Sequence, residues 1–216
     1  MAKDFAVILN NGGINSAVAT ALAVQKHRPI LIYAETSPTP SARQRAAYDQ
    51  QITHFKPYRE QTINLPPMTP PNPSGTAQAD PRATPPIAPR LIELLPLMSL
   101  AAQCGAQYQA AAIYCGMRIG PDGDDLAHAA EFFQVWGEMI QIPCRLSEME
   151  VLTPLLELEP WQVVDLGFQV GVPFERTWSC LHEGTDPCWS CRGCRNREAA
   201  FVQAAKPDPL RAAKRG

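Results

Sequence analysis

Four cysteines stand close together near the end of the chain: Cys180, Cys188, Cys191 and Cys194, in the run SCLHEGTDPCWSCRGC. Two overlapping C-x-x-C steps follow a first cysteine after a short loop. Thiolates at this spacing converge on a soft or borderline cation, and four of them make a closed tetrahedral zinc site with no open position for water. The chemistry expected is structural zinc. Three other readings compete. Disulfides belong to oxidising compartments. The opening run MAKDFAVILNN lacks the apolar stretch of a secretory signal, and seven cysteines is an odd number. Iron–sulfur proteins also use C-x-x-C-x-x-C, but those runs usually continue to a further Cys followed by Pro, whereas Arg195 and Asn196 follow here. Buried free thiols suit Cys104, Cys115 and Cys144.

A second group able to do chemistry is NGGINS, residues 11–16. Gly12 and Gly13 allow close approach of backbone to a ligand and a positive φ. A helix capped by Ser16 would aim its free N–H groups and positive dipole end at the same spot. Phosphate or pyrophosphate is the natural occupant. On these residues alone, an Asn-Gly-Gly turn with no ligand is an equal alternative.

Further candidates carry plainer readings. Arg90 has a planar fork suited to phosphate or carboxylate, and an exposed helix-start arginine is the alternative. His182 lies inside the cysteine loop and His128 on a predicted helix face; both read as solvated. Arg192, Arg195 and Arg197 would neutralise a tetrathiolate site. Asp122, Asp124 and Asp125 fall in a Gly/Pro-rich turn and read as solvated. Trp161, Trp178 and Trp189 read as packing residues of the core or of the cysteine module.

These groups need elements to position them. Phe5–Leu9 (FAVIL) predicts a buried strand, and SAVATALAVQKH a helix. Pro29–Ala34 reads as a strand, Ser41–Phe55 as a helix capped by Ser41, and Glu60–Leu65 as a weaker strand. Residues 66–89 hold nine of the chain's 22 prolines and sustain neither ladder nor helix. Helix is expected again over Arg90–Cys104, bent at Pro96, then strand over Gln109–Cys115. Leu126–Ile140 reads as helix, Leu152–Leu156 as a connection, and Trp161–Val170 as helix. This alternation predicts an α/β fold, a parallel sheet covered on both faces, with ligands at the carboxyl ends of its strands. NGGINS sits at such an end. The expected organisation is an α/β domain over 1–175 with a Pro-rich loop at 66–89, a cysteine module with a C-terminal helix over 176–205, and a tail over 206–216. The formal net charge of −2 gives no basic field for nucleic acid. No run approaches the roughly 20 apolar residues of a membrane helix.

A strand, then S-G-G-x-D-S, then a helix is the loop of the pyrophosphate-loop ATP pyrophosphatases, and NGGINS is similar to it. One branch of that superfamily ends in a four-cysteine zinc module of this spacing followed by residues like CRNREAAF, 194–201. The chain therefore resembles the 7-cyano-7-deazaguanine synthase (QueC-like) family of queuosine biosynthesis. The segment LTPLLELEPWQVVDLGFQVGV, 152–172, resembles the block that precedes the first zinc ligand in that family.

The resemblance implies an adenine nucleotide alpha hydrolase-like, Rossmann-like fold and an ATP-dependent ligase. Its members activate the carboxylate of 7-carboxy-7-deazaguanine with ATP and Mg²⁺. They convert it with ammonia to the amide and then to the nitrile, 7-cyano-7-deazaguanine (preQ0). Carried over, Asn11, Gly12, Gly13, Asn15 and Ser16 would hold the nucleotide, Arg90 the 7-deazaguanine-type substrate, and the four cysteines Zn²⁺. A cytoplasmic homodimer is implied, with no membrane and no direct nucleic-acid partner. The chain departs from the family at Asn11 for serine, at Asn15 for the loop acid, and at Pro160 for a lysine at the start of the late helix. The segment APRL, 88–91, keeps Arg90 but lacks the Gly and Asn of P-G-R-N. His128, Ala129 and Ala130 stand where the family has D-C-R. Two function classes follow: a QueC-like ligase, or an altered relative that binds a nucleotide or partner or acts on another carboxylate.

Overall fold

The apolar run FAVIL forms the middle strand of a sheet because both of its faces are covered. In β1 (Phe5–Leu9), Val7 joins a core cluster with Met98, Ala101, Phe133 and Trp136. Ala6 and Ile8 join another with Ala23, Tyr48 and Leu31. Successive side chains point to opposite faces of a strand, so an unbroken apolar run marks a strand buried on both sides. The computed structural model of the chain describes residues 4–35, 42–65, 87–121, 123–144, 149–182 and 184–212.

The other strands are β2 (Arg28–Glu35), β3 (Arg59–Asn64), β4 (Ala112–Cys115) and β5 (Glu150–Leu152). Their order is β3-β2-β1-β4-β5, and every neighbouring pair is parallel. The α-helices among the described residues are α1 (Ile14–Lys26), α2 (Ala42–Phe55), α3 (Ile87–Tyr108), α4 (Asp124–Cys144), α5 (Pro160–Gln169), α6 (Arg192–Gln203) and α7 (Pro209–Ala212). Helices α3 and α4 cover one face. Helix α1 lies on the other, where Ala17 and Val18 pack with Val163 and Val164 of α5 and Phe201 of α6. The expected α/β fold is the one observed.

Local chemistry explains where the elements differ from expectation. Helix α1 starts at Ile14, because extended Gly13 already serves as its N-cap; Ser16 lies in the first turn and is not the cap. Strand β4 is shorter than predicted because α3 runs on to Tyr108. The helix ends where Gln109 takes φ +50° and Ala110 N–H bonds Gly105 O at 2.9 Å. Strand β5 is three residues long, and only its last residue, Leu152, falls in the expected connection; its pairing with β4, Ala112 to Glu150, places it. Ser41 and Asp122 lie outside the described residues, as do positions 66–86 of the Pro-rich segment. Its last three residues open α3, where Pro89 falls in the first turn and costs no helical hydrogen bond. The helix continues through Pro96.

By length and composition α3 reaches the measure of a membrane-crossing helix, which the sequence was expected not to do. Arg90, Glu93 and Gln103 interrupt it, and its inward residues Met98, Ala101, Ala102 and Cys104 are buried in the core. Residues 206–212, read as tail, fold back on α6. Asp208 is buried against Arg197, with two bonds of 2.7 and 2.8 Å. The same guanidinium donates to Thr177 Oγ1 at 2.7 Å and to Phe174 O at 3.0 Å. Arg197 thus belongs to this buried clamp; the expectation that it neutralises the cysteines is not met.

Candidate functional site

The chain leaves β1 where the strand order reverses, with β2 on one side and β4 on the other. Loops diverge there and open a crevice at the carboxyl ends of the strands. The first residue past the strand, Asn10, is 2% exposed. Its Nδ2 donates to Thr20 Oγ1 at 3.0 Å and to Gln51 Oε1 at 2.9 Å. Its Oδ1 accepts from the Gly12 N–H at 2.8 Å and from the Ser16 hydroxyl at 3.2 Å. Asn11 Oδ1 accepts from the Gly13 N–H at 3.0 Å and from the Ser16 hydroxyl at 2.9 Å. Both glycine N–H groups are therefore bonded to side chains of the loop itself. Gly12 has φ +78°, and a β-carbon there would run into the Gln44 carbonyl, so only glycine fits. Gly13, at φ −83° and ψ 174°, is extended; positive φ holds for Gly12 alone.

The loop is tied to distant parts of the chain. Gly12 O accepts from Trp178 N–H at 3.0 Å and from Gln51 Nε2 at 3.1 Å. Gln51, fully buried in α2, also donates to Arg176 O at 3.0 Å. Across the crevice, Gly116 follows β4 and backs onto Asn15, whose carbonyl oxygen would lie 2.8 Å from a β-carbon there.

Two clefts flank the loop. One, of about 580 Å³, is bordered by Asn11, Gly13, Asn15, Pro160, Trp178 and His182. The other, of about 460 Å³, is bordered by Asn15, Ser16, Arg90, Leu94, Met117 and Arg118. Asn11, Asn15 and Arg118 border both; Gly12 is buried beneath the loop. Pro160 opens α5 beside Glu159, which forms a reciprocal capping box with Gln162. Arg90 Nη2 donates to Arg118 O at 2.9 Å. Arg118 Nη1 donates to Ile119 O at 3.2 Å and Leu158 O at 3.3 Å. Burial lowers both guanidinium pKa values from the usual arginine range.

The four cysteines meet at the edge of the first cleft. Their sulfurs all lie within 4.8 Å of one another, with Cys188 and Cys194 at 4.0 Å and Cys180 and Cys191 at 3.9 Å. Backbone N–H groups point at the sulfurs: Leu181 to Cys191, Cys188 to Cys180 and Cys191 to Cys188, at 3.3–3.4 Å. Cys180 and Cys194 are buried and Cys188 is exposed. Hydrogen bonds from Ser190, then from the Cys191 N–H, pull the Cys188 thiol down to about 5, while burial pushes Cys194 well above the thiol range. The cluster could hold a metal ion. Trp178 packs against it. Trp189 is covered by the Arg211 guanidinium, 4.3 Å from its ring. Trp161 is 39% exposed and is not the core residue expected; His128 and His182 are solvated as expected.

The model of the family described as Queuosine biosynthesis protein QueC matches residues 94–205, more than half of the chain. The chain belongs to the QueC family. QueC relatives include the 7-cyano-7-deazaguanine synthase of Thermosynechococcus vestitus, 44% identical over 62 residues, or 29% of this chain and 27% of that protein. The synthase of Acaryochloris marina is 36% identical over 88 residues, 37% of this chain and 39% of the relative. That of Archaeoglobus fulgidus is 35% identical over 80 residues, 37% and 34% respectively. The matched segments thus span well under half of each relative. Among solved structures, the U34-tRNA thiolase NcsA from Methanococcus maripaludis with its [4Fe-4S] cluster aligns with a TM-score of 0.48 at 12% identity. That alignment covers 93% of this chain and 64% of that one.

Sequence reading of this QueC-family chain missed Asn10, Gln51 and Arg118. Arg118 carried a usable signal: it sits in GMRIG, directly after the strand on the far side of the switch point. Asn10 and Gln51 carried none, since a buried amide bonded across 41 positions is invisible to local pattern.

Proposed function

We propose that this QueC-family chain is an ATP-dependent ligase. It would convert 7-carboxy-7-deazaguanine and ammonia to 7-cyano-7-deazaguanine, with one zinc ion held by Cys180, Cys188, Cys191 and Cys194. The observation that carries the reading is the meeting, on one cleft, of the Gly12–Gly13 loop, the start of α5 and the four-thiol cluster.

The donor set fits zinc. Four sulfurs about 2.3 Å from one tetrahedral ion lie about 3.8 Å apart; here Cys180 and Cys191 are 3.9 Å apart and Cys188 and Cys194 4.0 Å. A cubane iron–sulfur cluster would set each thiolate on a different iron and spread the four sulfurs further. When bound, zinc would fix the wall of the cleft that carries Trp178 and His182. A carboxylate is a poor electrophile, so its activation needs AMP as a leaving group and stabilisation of the departing pyrophosphate. The N-terminus of α1 would favour the charge that develops there, while the Ser16 hydroxyl is turned to Asn10 and Asn11 within the loop. Asn15 offers a neutral oxygen in place of a carboxylate for Mg²⁺, which lowers the expected affinity for that ion. A homodimer is part of the proposal. The exposed apolar side chains Ile92 and Leu95 of α3 and Val135 and Met139 of α4 are surfaces a second copy would cover.

One observation favours a second reading, in which the chain binds a nucleotide without turnover. The Gly12 and Gly13 N–H groups are already bonded to Asn10 and Asn11. Incubating the metal-loaded protein with ATP, Mg²⁺, ammonium and 7-carboxy-7-deazaguanine decides between the two. Nitrile and AMP support the ligase. ATP binding without AMP release, with a synthase relative active alongside, sinks it in favour of the binder.

A further inference from the structure

Two cations stand without a counter-charge among the described residues. Arg90 and Arg118 are both half-buried, and both border one cleft. Neither makes an ion pair with any described residue. Asp125, Glu93 and Glu159 act on them only through space. Burying a cation without a counter-charge is unfavourable, and here burial is the main influence on both groups. Backbone carbonyls hold the pair in place: Arg118 O receives Arg90, while Ile119 O and Leu158 O receive Arg118. Such bonds orient a guanidinium without neutralising it.

Arg118 is also the cation nearest in the chain to the point where β4 meets the glycine loop, since Gly116, two residues before it, touches Asn15. Its other anchor, Leu158, lies two residues before Pro160. Its side chain borders both clefts. A fixed guanidinium at that junction presents a fork of donors that matches phosphate oxygens. At the start of α5, by contrast, Pro160 supplies no charge.

We propose that Arg118 binds the phosphate chain of a nucleoside triphosphate, supplying from the β4–α4 turn the positive charge that α5 lacks at Pro160. Arg90 backs it by donating to its carbonyl. This rests on the nucleotide reading of the clefts given above.

The test is calorimetric titration of the full-length, metal-loaded protein with inorganic pyrophosphate and with ATP. The variants are R118Q, R118K and the double variant R118Q/P160K. Loss of one charged hydrogen-bonding partner predicts that R118Q binds both ligands about 10- to 100-fold more weakly. R118K should fall between R118Q and wild type. The double variant should recover most of the loss, because it returns a cation to the same cleft from the other side; a structural defect would not be repaired that way. Equal affinity in R118Q and wild type overturns the inference and leaves the nucleotide reading standing. So does a loss in R118Q that neither R118K nor P160K recovers, with a lowered thermal midpoint. Wild type that binds neither pyrophosphate nor ATP overturns the nucleotide reading itself, and this inference with it.

Discussion

The four-thiol cluster and the glycine loop border the same cleft, yet their donors stand in different conditions. The sulfurs of Cys180, Cys188, Cys191 and Cys194 converge, with neighbouring N–H groups and Ser190 bonded to them. The N–H groups of Gly12 and Gly13 are already held by Asn10 and Asn11. Thiolates bind metal strongly by themselves, so a cluster needs only convergence. Backbone donors bind anions weakly and depend on added charge, and charge can be moved from one element to another. The loop's donors can therefore be held internally while the four sulfurs stay convergent.

The sharpest way to break this contrast is to remove a thiol. Cys194→Ser should reduce bound metal from about one ion per chain to near zero, because structural sites need their full ligand set. Elemental analysis of the purified protein measures it. Metal retained at wild-type level would mean that the four sulfurs are not the ligands. Next in size is the clamp beneath the cluster. Asp208→Ala leaves the buried Arg197 without its carboxylate and should cost about 3–5 kcal/mol in urea unfolding. A smaller loss would make α7 an ornament of α6. On the loop side, Gly12→Ala forces a positive φ and a clash with the Gln44 carbonyl. It should destabilise the protein by roughly 1–3 kcal/mol without changing metal content, which separates the two regions. The smallest effect is expected from restoring charge. Asn15→Asp adds an ionised carboxylate at neutral pH and should tighten ATP binding in the presence of Mg²⁺ by about three- to tenfold, the scale of 1 kcal/mol. No change in the titration would place Mg²⁺ away from residue 15.

How far these regions could be read in advance follows the range of the interactions that build them. FAVIL and PILIYA announce buried parallel strands because the signal is carried by consecutive side chains. The cysteine spacing announces its cluster because all four ligands lie within 15 residues. Glu159 and Gln162 cap α5 within three residues, and the helix begins one residue before the Trp161 expected. By contrast, β5 exists only through its partner β4. The loop's true shape depends on Gln51, and the role of Arg197 depends on Asp208. Arg118 is intermediate: its turn was seen, but its neighbours across the switch point come from the sheet order, which no single segment encodes.

The bond from Trp178 N–H to Gly12 O has a consequence for the order of events during synthesis. Gly12 is synthesised well before Trp178, whose N–H completes the loop's backbone bonding. Until then Gly12 O has Gln51 alone. A ribosome-bound chain stalled before residue 178 would carry the loop's residues without its finished form, so the early segment would wait, unlatched, for the late one. Closing so distant a contact is slow compared with local folding, and the loop would take its finished form only after residue 178 has been made.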